Sequence, residues 1–194
     1  RLLLKNCYRQ YRQYSKVQTV LKNNLISLLD TVFPNANRLF SSPIRGDGSE
    51  KWVDFVAEFW HCRCASEKSE RAFTSKYLRW CRKHGYNFRE AKAHTIYAEA
   101  SGHIGVMPKS ETTKLLVEQA VAQLRATSTA LAALKQEMQS LASVLPEYPV
   151  VMDMFDVGPT LGPQLIAEIG DVRRFYSKKA LVAYAGLDAP PNDS

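Results

Sequence analysis

One apolar stripe narrows the folds open to this chain more than any other feature. Val117, Val121, Leu124, Leu131, Leu134, Met138, Leu141 and Leu145 recur about every 3.5 residues, and the polar Ser128 interrupts them. That period draws a seam along one side of a helix for about four heptads. A seam of this length needs a second apolar surface to cover it. Ser110, just after Pro108-Lys109, is placed to cap the helix start. The spacing predicts a helix over 110–145.

The covering surface is either another chain or the first helix folded back antiparallel. Residues 1–33 read as one helix, with Leu4, Cys7/Tyr8, Tyr11, Tyr14, Leu21, Leu25, Leu28 and Val32 at steps of three and four. This stripe has a gap near Val17 and Gln18. Its three tyrosines suit packing or base stacking. Phe33-Pro34-Asn35 ends it, because the residue before a proline disfavours helical geometry. No segment alternates as a strand would. The expected fold is all-α, with a long helical hairpin or coiled coil, a small helical subdomain and a carboxy-terminal helix-hairpin-helix-like domain. The expected divisions are 1–33, 34–108, 109–146 and 150–194.

Residues 34–108 carry the aromatics. A turn is expected at Arg45-Gly46-Asp47-Gly48, then a short helix capped by Ser49 and running through Trp60, with Trp52, Phe55, Val56 and Phe59 on one side. Ser66 and Glu67 should open a second helix that Gly85 closes after His84. Its apolar members are Phe73, Tyr77, Leu78, Trp80 and Cys81. A third, over about 88–101, should stop at Gly102. His94 and His103 stand alone, as structural or exposed histidines do.

Charge points to polyanions. The net charge is +7, and it is clustered. Six basic residues, Arg1 to Lys22, precede the first acid, Asp30, and between Arg63 and Lys92 nine basic residues face three acids. Such runs are solvated helix faces or, with aromatics interleaved, nucleic-acid contacts. Arg71, Arg79, Arg82, Lys83 and Arg89 are the candidates for phosphate. Four cysteines and neighbouring histidines invite a zinc reading, but only one residue separates Cys62 from Cys64. On a helix these two thiols point about 200° apart, so free, reduced thiols and no metal site are expected. No apolar run approaches a membrane span, and no signal peptide is visible.

Beyond Pro146 and Pro149, which should set off the end of the chain, comes DVGPTLGPQLIAEIGDVRRFYSKKALVAYAGLDAPPNDS. Thr160 can cap a helix with Leu161, Leu165, Ile166 and Ile169 on one face and Gly170 as its stop. Pro163 falls in its first turn, where a missing N–H costs nothing. Ser177 can cap a second helix running to Gly186, and Arg173 and Arg174 lie between the two. The turn at Gly158-Pro159-Thr160 is either a phosphate-binding hairpin or a plain packing turn.

The run of LIAEIGD, RRF and SKKALVAYAGL after a G-P turn resembles the carboxy-terminal domain of DEDD-type insertion-sequence transposases, a group that includes Piv-like DNA invertases and bridge-RNA-guided recombinases. The resemblance covers 150–194. It implies an RuvC-like nuclease domain using Mg2+, then a coiled coil, then this domain, so the chain is expected to be a fragment of a longer transposase, inactive by itself. It implies a nucleophilic serine about eight residues after Gly186, which is Ser194. It also implies DNA and a structured guide RNA as partners, a homodimer or tetramer, and a cytoplasmic, nucleoid-associated place in a bacterium or archaeon. Gly158, Thr160, Arg173, Arg174, Lys178 and Lys179 are the candidates to meet nucleic acid there. The family carries glycine one residue before Val157; this chain has Asp156, whose carboxylate would repel a phosphate. The metal-binding acids of an RuvC-like fold have no counterpart here, since the acids are scattered over helices. The other reading is a noncatalytic helical module for nucleic-acid binding or dimerisation.

Overall fold

The computed structural model describes residues 1–177 and residue 180. Among them lie α1 (Leu2–Val32), α2 (Lys51–Glu58), α3 (Arg63–Ser66), α4 (Glu70–His84), α5 (Glu90–Gly102), α6 (Glu111–Ser143), α7 (Tyr148–Met152) and α8 (Leu161–Ile169), with no strand. The all-α expectation holds. Two compact units divide the chain: Tyr14–Ala132, and Arg1–Gln13 with Ala133–Ser194.

In the larger unit, Val117, Val121 and Leu124 of α6 share one core with Leu25, Leu29 and Val32 of α1. The early part of α6 thus meets the late part of α1, which makes the pair antiparallel. Leu28, expected in the stripe, is only partly buried, and Leu29 takes the inner place. The polar breaks of the two stripes meet: Gln18 Nε2 donates to Ser128 Oγ at 2.9 Å. The apolar seam is therefore covered by the same chain. Aromatic side chains fill the rest of this core. Phe55 stacks on Phe59 with ring centroids 4.6 Å apart and meets Trp80 edge-on at 5.7 Å. Offset and edge-on pairs suit the ring quadrupoles.

The last carbonyls of α1 have no helical partner, so other segments supply one. Thr31 O accepts from Met107 N at 3.1 Å, and Val32 O from Cys62 N at 3.0 Å. The Arg45–Gly48 turn forms as expected, with Gly48 N donating to Arg45 O at 2.9 Å. Gly48 sits at φ 83, and a Cβ there would lie 2.4 Å from the Ser128 carbonyl oxygen. No other residue lets this turn approach α6 so closely.

Several helix ends differ from expectation. Glu50, not Ser49, occupies the cap position of α2, without a side-chain cap bond, and α2 stops at Glu58. The Ser49 hydroxyl makes no hydrogen bond among the described residues, and the Ser49 N–H goes to Asp47 Oδ1. The start of α4 is Ser69, whose Oγ accepts from Ala72 N. Ser66 cannot serve, because its hydroxyl bonds back to Cys62 O in the separate turn of α3. Gly85, at φ 65, closes α4 as predicted. Ser110 Oγ accepts from Thr113 N at 3.2 Å, the expected cap of α6.

The smaller unit has its own core of Leu4, Met138, Ala142, Ile166 and Ala167, with Cys7, Tyr8 and Tyr11 packed against it. These tyrosines are packing residues. Instead of a simple break at Pro146 and Pro149, α7 forms there, with Pro149 in its first turn, where no N–H is needed. The buried face of α8 is Gly162, Pro163, Ile166 and Ala167, while Leu161 is exposed. Small residues win that face because α7 packs close: a Cβ on Gly162 would stand 2.6 Å from Met152 Sδ. Arg1 ties the unit together through Glu147 and through Gly170 O at 3.0 Å.

Candidate nucleic-acid interface

The buried side of α4 is Phe73, Tyr77, Trp80 and Cys81. At about 100° per residue, Arg71, Arg79, Arg82 and Lys83 fall on the opposite side. All four are exposed, and none forms an ion pair among the described residues. A helix face with four unneutralised cations attracts phosphates without reading sequence.

Arg89, the fifth predicted cation, lies elsewhere, on an open cleft of about 510 Å3. Phe40, Tyr77 and Tyr86 line this cleft together with Lys51 and Lys92. Lys51 Nζ stands 4.9 Å from the ring centroids of both Phe40 and Tyr86, and Lys92 Nζ 5.5 Å from that of Phe40. Burial pushes Lys51 below the ordinary lysine range; the charges of Lys92, Arg45 and Arg89 push the same way, and only Cys81 opposes them. The site is thus short of negative charge.

Two supports fix the cleft. Arg45 lies 4.0 Å over the Tyr86 ring and donates to His84 O at 3.0 Å and Gly85 O at 3.2 Å. From the far side, Tyr86 donates its hydroxyl to Asp54 Oδ2 at 2.6 Å, and Arg125 pairs with Asp54 Oδ1 at 2.6 Å. Asp54 is only 7% exposed, so its charge is held by both partners. Burial first, and this carboxylate second, push the Tyr86 phenol well above its usual range. Sequence reading missed Arg45, Lys51 and Lys92 because they sit on a loop, α2 and α5. The one local signal is the i, i+3 spacing of Arg89 and Lys92.

The terminal candidates are arranged differently. Asp156 has φ 62, a left-handed backbone that suits glycine, so the glycine the resemblance leads one to expect has a conformational reason. Gly158 O accepts from Gly162 N at 2.9 Å, inside the first turn of α8. Thr160 stands at the cap position in helical geometry and makes no side-chain cap bond, contrary to expectation. The guanidinium of Arg173 is held by Asp171 through Nε at 2.9 Å and Nη2 at 2.8 Å. This grip holds the Asp171 carboxyl far below the usual range. Arg174 lies 4.7 Å over the Phe175 ring. Ser177 Oγ accepts from Ala180 N at 3.1 Å, the predicted cap. Lys178, Lys179, the remainder of the helix expected up to Gly186, and Ser194 lie outside the described residues.

All four cysteines are free thiols. Among the described residues no group of three or more His, Cys, Asp and Glu could hold a metal ion. The described residues therefore do not fit the magnesium site of an RuvC-like domain. His61, one of the histidines beside the cysteines that invite a zinc reading, is buried: Nε2 donates to Met107 O at 3.1 Å, and Nδ1 accepts from Arg63 N at 3.1 Å. Both ring nitrogens are used by the backbone, so the role is structural. No helix among the described residues is long and apolar enough to cross a membrane.

Residues 148–194 match a family model described as Transposase IS116/IS110/IS902 family. The match starts at the first residue of α7. No curated protein and no solved structure matches the chain.

Proposed function

We propose that this chain is part of an insertion-sequence transposase that binds nucleic acid through the basic side of α4 and the cleft beside it. The match of residues 148–194 carries the reading. Its support is chemical as well. The chain has net charge +7, and Arg71, Arg79, Arg82 and Lys83 of α4 form no ion pair among the described residues. In this reading the partners are DNA and a structured guide RNA, bound by a homodimer or tetramer in the nucleoid of a bacterial or archaeal cytoplasm. The 150–194 segment is the start of a serine domain. The magnesium-dependent RuvC-like domain belongs to another part of the full protein, so this segment alone does not cut DNA.

Ser194 is the proposed nucleophile. Its hydroxyl oxygen attacks a DNA phosphorus, a P–O bond to the neighbouring deoxyribose breaks, and a phosphoserine ester holds the end until a deoxyribose hydroxyl of the other strand displaces it. The serine proton passes to a base, and the departing sugar oxygen takes a proton. Cations such as Lys178, Lys179 and Arg174 would offset charge on the phosphoryl oxygens. In the full-length enzyme, with magnesium, its RNA and both DNA sites, Ser194→Ala should abolish strand exchange and the covalent protein–DNA adduct. Folding should change by no more than about 0.5 kcal/mol, as for most surface substitutions. An adduct at another residue, or full activity in the variant, would remove Ser194 from the mechanism and favour a noncatalytic binding module.

A further inference from the structure

The cleft bounded by Phe40, Lys51, Tyr86, Arg89 and Lys92 has a composition that general phosphate attraction does not require. Its lining includes no carboxylate; the remaining polar groups there are Ser41, Ser42 and Asn87, which can donate hydrogen bonds. Lys51, Arg89 and Lys92 form no ion pair among the described residues. Two of these cations, Lys51 and Lys92, stand near aromatic ring faces, which favours their position in the cleft. Tyr77, which also lines the cleft, keeps its hydroxyl buried without a hydrogen-bond partner, beside the weakly bonding Cys81 thiol. The volume, about 510 Å3, falls in the range of small-ligand pockets.

A duplex backbone needs only an exposed row of cations, such as α4 provides. A concave site with aromatic walls and convergent cations suits one nucleotide turned out of its stack. We propose that this cleft binds a single unpaired nucleotide of a nucleic-acid chain, its phosphate against Lys51, Arg89 and Lys92 and its base against the rims of Phe40 and Tyr86, whose faces are covered by Lys51, Arg45 and Trp80. Aromatic contact favours unstacked bases of any identity, whereas paired bases keep their faces covered. The Asp54–Tyr86–Arg45 arrangement then acts as positioning structure that holds the wall in place. This inference rests on the nucleic-acid reading above and narrows it to a kind of substrate.

The test compares two labelled RNA hairpins, identical except that one carries a single-nucleotide bulge, titrated against the 194-residue chain by anisotropy. The bulged hairpin should bind about tenfold more tightly, on the order of one base–aromatic contact. Arg89→Ala/Lys92→Ala should erase that preference and leave the paired hairpin nearly as well bound; both side chains reach solvent, and a melting curve checks that the fold survives. Arg71→Ala/Arg79→Ala/Arg82→Ala/Lys83→Ala should do the converse, weakening both hairpins and keeping their ratio. Adenosine monophosphate should compete for the bulged hairpin at lower concentration than inorganic phosphate. Equal affinity for the two hairpins, equal losses in the cleft variant, or equal competition by phosphate would overturn the nucleotide site. Failure to bind either hairpin at low salt would instead sink the nucleic-acid reading itself.

Discussion

Some single residues hold this fold through bonds from every polar atom they carry. His61 is the clearest case. Both its ring nitrogens are taken by backbone groups, and a Cβ on Gly105 would come within 2.8 Å of Nε2. Burial, with Arg63 and Lys109 acting in the same direction, pushes His61 below its ordinary pKa, although its bond to Met107 and the charge of Glu67 oppose this. The unfolded chain therefore takes up the proton more readily than the folded one. Stability from this group is complete above the ordinary histidine value, about 6.5, and is lost as the pH falls below it. Denaturant midpoints measured between pH 8 and pH 5 should drop in the acid range, and His61→Gln, which can keep both backbone bonds, should flatten part of that drop. His84, lowered mainly by burial, stays in the variant and keeps the remainder. Parallel profiles for the two proteins would show that His61 titrates as it does in the unfolded chain.

Among the elements, the long helices were the most legible. Their apolar periods run for many turns, so the position of Ser128 and the gap at Gln18 could be read before it was known that they meet. The contact between them has a testable energetic sign. Ser128→Ala should cost about 1 kcal/mol, because the half-buried Gln18 amide loses its partner at 2.9 Å. Gln18→Leu/Ser128→Ala should recover most of that cost, since removing both polar groups leaves none unpaired. Additive losses in chemical denaturation would mean that the two side chains do not act as a pair. Shorter elements were less legible, for local reasons. Ser66 resembles a cap in sequence, but its hydroxyl bonds back to Cys62 O, and Ser69 caps α4 instead. The face of α8 went to Gly162, Pro163 and Ala167 because packing against α7 rewarded smallness over hydrophobicity. Arg71, Arg79, Arg82 and Lys83 were readable as a face because one helix carries them all. The cleft was not readable, because Phe40, Arg45, Lys51, Tyr86 and Lys92 come together only through folding.

For the whole molecule, charge and its placement carry the functional account. The inner stripes of α1 and α6, Leu25, Leu29 and Val32 with Val117, Val121 and Leu124, are covered within this chain. In the smaller unit Val150, Met154, Phe155 and Tyr176 are exposed large apolar or aromatic side chains. The cations on α4 are the central claim, and the salt dependence of binding tests them most directly. Affinity for a duplex DNA and for a structured RNA should be measured from about 50 to 300 mM salt. Each phosphate neutralised releases counterions, so the logarithm of affinity should fall linearly with the logarithm of salt, with a slope of about −0.9 per contact on duplex DNA. Arg71→Ala/Arg79→Ala/Arg82→Ala/Lys83→Ala should weaken binding at low salt and make that slope shallower by about three to four contacts' worth. Affinity that ignores salt, or a slope that the fourfold variant leaves unchanged, would contradict the assignment of this face to nucleic acid.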